Sequence, residues 1–171
     1  EVGVEYPGAT PDEAYTWDEF VEVAKQLTLD RNGNNAASDD FNPNEVETYG
    51  VAFPQTHHSY LPLIWSNGGR FANDEGTELL LNQPEAVEVL QKMQDLIHVH
   101  HVAPTPSQMD ALPATDVMMQ SRRVAMDFNG HWKVLDYAQL DLDWSMSPLP
   151  YFIEPATMIQ ASARVIFAAT E

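Results

Sequence analysis

The stretch Ser121–Leu135, SRRVAMDFNGHWKVL, changes period in its middle. Val124 to Phe128 alternates in the period-two manner of a strand, and Asn129 and Gly130 then break the run. From Trp132 to about Gln139 the spacing turns helical. A strand that bends through Asn-Gly into a helix is one unit of an alternating α/β chain. It also sets a large aromatic, Trp132, on a corner where backbone turns toward solvent, although a core position would bury the ring more fully.

Outward from this corner the alternation continues. Thr16 with Glu19 three residues on forms a capping box, and Phe20, Val21, Ala24 and Leu27 then recur at helical spacing, predicting a helix that ends near Leu29. Asp30 to Asn44, rich in Asn, Asp, Ser and Gly, favours turns over a packed element. YGVAFP, Tyr49 to Pro54, has the character of a short buried strand, and a helix from about Ser59 to Asn67 is expected to stop at Gly68-Gly69. Gln83 to Val99 is the clearest helix, with Pro84 in its first turn and a predicted apolar stripe of Ala86, Val87, Leu90, Met93, Leu96 and Ile97. A short helix over Thr115 to Ser121 precedes strand Val124–Phe128, and a last strand pair is expected around Trp144 to Leu149 and Arg164 to Ala168. The fold class is α/β, a sheet flanked by helices, with no internal repeat.

Composition bounds the function. The chain of 171 residues is long enough for one domain with a sizeable core, and 44% hydrophobic residues exclude a disordered chain. No apolar run reaches the ~18 residues of a membrane span. Twenty-six acidic against 8 basic residues give a formal charge of −18, which repels nucleic-acid phosphates and anionic membrane surfaces. A well-solvated acidic surface explains this balance, and so does a salty or acidic habitat. Without cysteine there is neither disulfide nor thiol chemistry, while the compartment stays open. The chain opens without an initiator Met or signal peptide and stops directly after the apolar RVIFAATE, which points to a piece of a longer chain.

Catalytic and metal signals are weak. Asp30, Asn32 and Asn34 are spaced like the start of a calcium loop, but Gly33 falls at the fourth position instead of the sixth and Phe41 stands where a bidentate Glu belongs, so a solvated turn is favoured. His98, His100 and His101 suit the negative end of the long helix better than a zinc site, since their spacing fans the rings around the axis. The pairs Asp39-Asp40 and Asp141-Asp143 lie in polar loops where both members stay ionised. No P-loop, Rossmann glycine pattern, G-x-S-x-G or H-E-x-x-H occurs, and no cofactor is implied.

What remains is aromatic and placed at corners: Trp65 before Gly68-Gly69, Trp132 after Asn129-Gly130, and His57, His58 and Tyr60 beyond the strand ending at Pro54. In an open α/β sheet ligands bind outside the carboxyl ends of strands, where the Pro54 and Gly130 corners both fall. A flat apolar ring beside Asn129, backbone N–H groups and imidazoles suits a sugar, which has one apolar face and a rim of hydroxyls. Core capping competes with this reading, and for Trp65 it is the favoured one.

These segments resemble the sugar-binding branch of the solute-binding proteins of bacterial ABC importers, the branch to which maltose-binding protein belongs. The resemblance rests on YTWDEFVEVAKQLT, YLPLIWSNGGRF, LLLNQPEAVEVLQKMQDLI, SRRVAMDFNGHW, DWSMSPLP and PATMIQASARVIFAATE, in family order and over nearly the whole chain. It implies one lobe of a two-lobe periplasmic-binding-protein-like fold of type II, with residues 1–12 as an inter-lobe crossing and 13–171 as part of the C-terminal lobe. It further implies an extracytoplasmic parent, periplasmic or a cell-surface lipoprotein, that delivers a sugar to membrane permease subunits. By the resemblance Trp132 stacks on a sugar ring, and His58, with His57 and Tyr60, lines the cleft. Asn129, Gly130 and His131 complete the corner, His131 departing from the small residue or proline usual between Gly and Trp. A glycosidase fragment and a protein-interaction module are the competing classes; the first requires turnover, the second an exposed Trp132 with no pocket. Edge pairing of the truncated sheet would make a dimer. Because two lobes are needed to trap the ligand, this chain alone should bind sugars weakly or not at all, and a micromolar affinity measured on it by calorimetry would contradict the two-lobe account.

Overall fold

A computed structural model describes residues 3–160. Its first regular helix, α1 (Trp17–Leu27), begins where the capping box lies: Thr16 Oγ1 accepts from the Glu19 backbone N–H, and the Glu19 carboxylate accepts from the Thr16 N–H at 2.8 Å. A 3-10 turn over Pro11–Glu13 precedes it. α1 buries Trp17, Phe20, Val21 and Ala24 on one stripe. It ends at Leu27, two residues before the sequence expectation, because Thr28 leaves the helix to serve the sheet. The buried Thr28 hydroxyl donates to the Ala24 carbonyl at 2.7 Å and accepts from the Gly50 N–H at 2.9 Å. Leu29 and Asp30 then form a short strand, β1, in place of the predicted turn.

The sheet has the order β1-β2-β3, with β2 over Val46–Ala52 and β3 over Val124–Asp127. β1 runs antiparallel to β2, while β2 and β3 are parallel, Tyr49 facing Val124, Val51 facing Met126 and Ala52 facing Asp127. Parallel neighbours need a long crossover, and helices supply it here. They are α2 (His57–Ser66), α3 (Pro84–His98), α4 (Pro106–Ala111) and α5 (Thr115–Gln120). α2 starts two residues earlier than predicted and ends as predicted, with Gly68 at φ 77° and the Gly69 N–H bonded to the Ile64 carbonyl.

The main core gathers Phe20, Val51, Leu63, Ile64, Val89, Leu96 and Val102 between α1, β2, α2 and α3. A smaller cluster, Tyr49, Ala52, Met118 and Val124, lies under α5. Further sequence expectations change. The buried stripe of α3 is Ala86, Val89, Met93, Leu96 and Ile97, while Val87 and Leu90 are 50% and 36% exposed, because the helix meets its neighbours along one flank only. Trp144 to Leu149 forms no strand; Pro148 and Pro150 offer no N–H to a ladder, and pairing begins at Tyr151, whose carbonyl accepts from Trp17 N–H and whose N–H donates to Tyr15. The predicted strand at Arg164 to Ala168 lies outside the described residues. After β3 come a 3-10 turn, His131–Lys133, and a single helical turn, α6 (Val134–Tyr137), in place of one helix from Trp132 to Gln139.

Helix and strand backbones approach closely at Gly50, where a Cβ would come within 2.2 Å of the Ala24 carbonyl oxygen and 2.8 Å of the Thr28 hydroxyl. Gly50→Ala should therefore push α1 off the sheet and destabilise the protein by about 1 to 3 kcal/mol, read as a lower urea midpoint.

Candidate functional site

Because β2 and β3 are parallel and in register at Ala52 and Asp127, the chain leaves both strands at the same edge of the sheet. The Phe128 N–H bonds the Ala52 carbonyl at 3.0 Å, and the Phe53 and Phe128 rings lie 6.3 Å apart, so the two exit segments start side by side. One leads through Thr56 into α2 and the other through Asn129-Gly130 to Trp132.

At their meeting the rings of His58 and Trp132 make an edge-on contact, with centroids 5.1 Å apart and planes at 72°. The His57 ring packs against that of His58, tilted by 33°, with centroids 4.0 Å apart. Both nitrogens of His58 are engaged: Nδ1 is 3.3 Å from Thr56 Oγ1 and Nε2 is 2.6 Å from Gln160 Oε1. Trp132 itself is 53% exposed. Its indole folds back over Gly130, whose hypothetical Cβ would sit 2.1 to 2.4 Å from three ring atoms. A side chain at this position would therefore push the indole away, while the φ of Gly130, −91°, is ordinary.

A polar scaffold underlies the corner. Asn129 Oδ1 accepts from the Gly130 N–H at 3.0 Å, and Asn129 Nδ2 donates to Asp127 Oδ2 at 3.1 Å. The Tyr137 hydroxyl donates to the same Asp127 oxygen. Asp127 Oδ1 is buried and has no hydrogen-bond partner. Burial pushes the Asp127 carboxyl above its ordinary value, against the opposing pull of Tyr137 and Asn129. Thr115 favours the ionised form as well, yet closes no hydrogen bond to Oδ1. Lys133 is held by Asp136 at 2.9 Å and Asp116 at 3.3 Å, and these carboxylates raise its pKa, the Asp136 bond most.

The structure brings His57, His58, Asn129, Gly130, His131 and Trp132 to one edge, His131 exposed on the outer side. Tyr60 and Trp65 are half-buried and pack against the main core. Sequence reasoning passed over Asp127, Tyr137 and Gln160. A carboxylate closing the apolar run VAMDF was a visible signal for Asp127; nothing local could have paired Gln160 with His58. Two surface concavities, of about 440 and 610 Å³, lie away from this edge, one lined by Val4, Tyr15 and Val23, the other by Arg31, Arg122 and Arg123. The corner itself is open on its outer side.

The Asp30 loop is organised by the carboxylate itself. Its Oδ1 accepts from the N–H groups of Asn32 and Asn34 at 2.8 and 2.9 Å, and its Oδ2 from the Asn42 N–H at 3.0 Å and Asn34 Nδ2 at 3.2 Å. A calcium ion would have to displace these donors. Among the described residues no three His, Cys, Asp or Glu side chains gather to hold a metal. At the end of α3, burial lowers the pKa of His100, with Lys25 adding to the effect, which works against the imidazolium that the dipole argument requires there.

The profile of the bacterial extracellular solute-binding proteins matches residues 9–171. The chain belongs to that family. Its fold is similar to that of UspC from M. tuberculosis, at a TM-score of 0.74 with 23% identity, over 91% of this chain and 40% of that one. An ABC substrate-binding protein from Listeria monocytogenes, solved in complex with cycloalternan, matches at 0.73 with 25% identity, over 90% and 35%. The maltose/maltodextrin-binding domain MalE from Bdellovibrio bacteriovorus, bound to maltotriose, matches at 0.64 with 21% identity, over 90% and 36%. The chain thus spans well under half the length of these proteins and corresponds to one lobe of a periplasmic-binding-protein-like fold, in a family of binding proteins and not of enzymes.

Burial works to raise the Asp30 pKa, yet the donors from Asn42, Asn34 and Asn32 outweigh it and hold the group below its ordinary value of 3.8. Its stabilising effect is therefore fully present above that value and is lost as pH falls through the lower, folded one. Asp30→Asn should lower the Tm at neutral pH, with the difference from wild type shrinking as the pH drops below 3.8 in a series of thermal melts.

Proposed function

We propose that this chain is the greater part of the second lobe of the substrate-binding component of an ABC importer, and that the parent traps a sugar or oligosaccharide between two lobes. The carrying observation is Trp132, an exposed indole edged by His58 where β2 and β3 both end. An aromatic face suits the apolar side of a pyranose, and the imidazoles and amides around it suit hydroxyls. Support comes from the relatives solved with cycloalternan and maltotriose. Residues 1–12 act as the crossing from a first lobe, and the residues from 13 on form the second. Closure works by differential affinity: the ligand touches both lobes only in the closed form and so favours it. The parent acts outside the cytoplasm, in the periplasm or as a surface lipoprotein, and hands its ligand to permease subunits.

A glycosidase reading lacks support, since the Asp39-Asp40 and Asp141-Asp143 pairs are exposed to solvent, with no apolar setting to keep one member protonated. The test is a calorimetric screen of the full-length protein against maltose, maltotriose, cycloalternan and tagatose. Trp132→Ala should cost about 1 to 3 kcal/mol of affinity for the best of these with an unchanged Tm. Equal affinity in wild type and variant, or no binding by any sugar of the panel, would overturn the proposal.

A further inference from the structure

The corner that carries Trp132 hangs on one side chain outside the contact zone. From the indole inward, each group is held by the next. The ring lies on Gly130, the Gly130 N–H is held by Asn129 Oδ1, and the Asn129 amide is held by Asp127 Oδ2. On the far side of Trp132, α6 is tied to the same oxygen through the Tyr137 hydroxyl. Tyr137 is buried and packs on Trp144, with ring centroids 5.6 Å apart, so this second anchor is itself fixed. A single carboxylate oxygen thus clamps the chain before and after the exposed indole.

The clamp is unfavourable to the fold considered alone. Asp127 keeps a buried oxygen with no partner, and buried polar atoms without partners are rare because each loses its hydration for nothing in return. Perturbed, incompletely satisfied carboxyls gather at functional sites, and this one lies directly behind the proposed stacking surface. We infer that Asp127 is a positioning residue for ligand binding, its buried carboxylate clamping Asn129 and Tyr137 so that the Trp132 ring is aimed at the cleft before any sugar arrives. This inference rests on the sugar-binding reading and adds to it the group that orients the aromatic platform.

The ionised form does the clamping, since hydrogen bonds to a carboxylate are roughly twice as strong as those between neutral groups. Burial raises the pKa, so the folded protein holds the proton more tightly than the unfolded chain does, and the ionised group costs stability at neutral pH. That cost shrinks as pH falls below the folded value and is gone below the ordinary value of 3.8. The charged and titratable groups facing Asp127 are Tyr137 on α6, Lys133 on the 3-10 turn, with its partner Asp136, and Asp116 on α5.

The experiment compares wild type with Asp127→Asn in the full-length protein, with Trp132→Ala as reference and maltotriose as the first probe. Asparagine keeps the shape and one accepting oxygen but removes the charge. The variant should bind about fivefold more weakly at neutral pH, as expected when charge-assisted bonds become neutral ones, while its Tm stays equal or rises. The ratio of the two affinities should approach one as pH is lowered and Asp127 of the wild type takes up its proton. In the ligand-free proteins the indole N–H resonance of Trp132, assigned by its loss in Trp132→Ala, should move in Asp127→Asn while that of the core Trp17 stays. Affinity within about twofold of wild type, an affinity loss matched by a fall in Tm, or a ratio independent of pH would overturn the positioning role. Should wild type bind no sugar of the panel, the sugar reading fails, and the indole resonance by itself still decides whether Asp127 orients Trp132.

Discussion

The parallel pairing of β2 with β3 is the constraint on which the rest depends. Antiparallel neighbours would send their chain ends to opposite edges of the sheet; parallel ones send them to the same edge. With Ala52 facing Asp127 and one further bond from Phe128 N–H to the Ala52 carbonyl, the two exit segments leave in step. A slip of one residue would turn the side chains of β3 to the other face and separate Phe128 from Phe53 and Phe20, with which it now packs. The meeting of His58 and Trp132 follows from that register.

Around this pairing the core is arranged as a platform. α1 is drawn against β2 at Gly50, where the absence of a side chain lets helix carbonyl and strand come together and lets Thr28 bridge them. The Trp17 ring stacks on Phe152 at 4.8 Å, which ties the late segment Tyr151–Phe152 back to the first helix. The dry, close-packed part of the lobe is therefore on the α1 side, and the polar scaffold of Asp127, Asn129 and Tyr137 lies at the strand ends. This division fits a binding protein, where a rigid body carries a shaped edge and chemistry is not required of either.

Signals confined to a few neighbouring residues were legible. The Thr16-Glu19 box, the Gly68 stop, Pro84 in the first turn of α3 and the Asn129-Gly130 corner each stand where the sequence puts them, since each depends on hydrogen bonds or dihedral freedom within one turn of chain. The misjudged features are those that a distant partner decides. Leu29 and Asp30 look like a helix end and a turn, and become a strand because Gly50 recruits Thr28. Val87 and Leu90 fit a helical stripe as well as Val89 does, but the direction in which α3 meets α2 selects Val89. Trp144 to Leu149 has apolar content, but Pro148 and the following Pro150 interrupt the row of N–H groups a ladder needs.

For the site the division is sharper. By itself the sequence determined that an aromatic would stand on a glycine corner after a strand, that an imidazole pair would follow another strand, and that the six segments resemble one family. Only the tertiary structure decided that His58 and Trp132 touch, that Tyr60 and Trp65 turn to the core, that Gln160 reaches His58, and that Asp127 stands behind the corner with an unpartnered oxygen. The physical reason is range. Periodicity and caps are written in covalent neighbours a few ångströms apart, whereas the juxtaposition of side chains far apart in sequence is set by strand register and by which face of each helix the shared core buries.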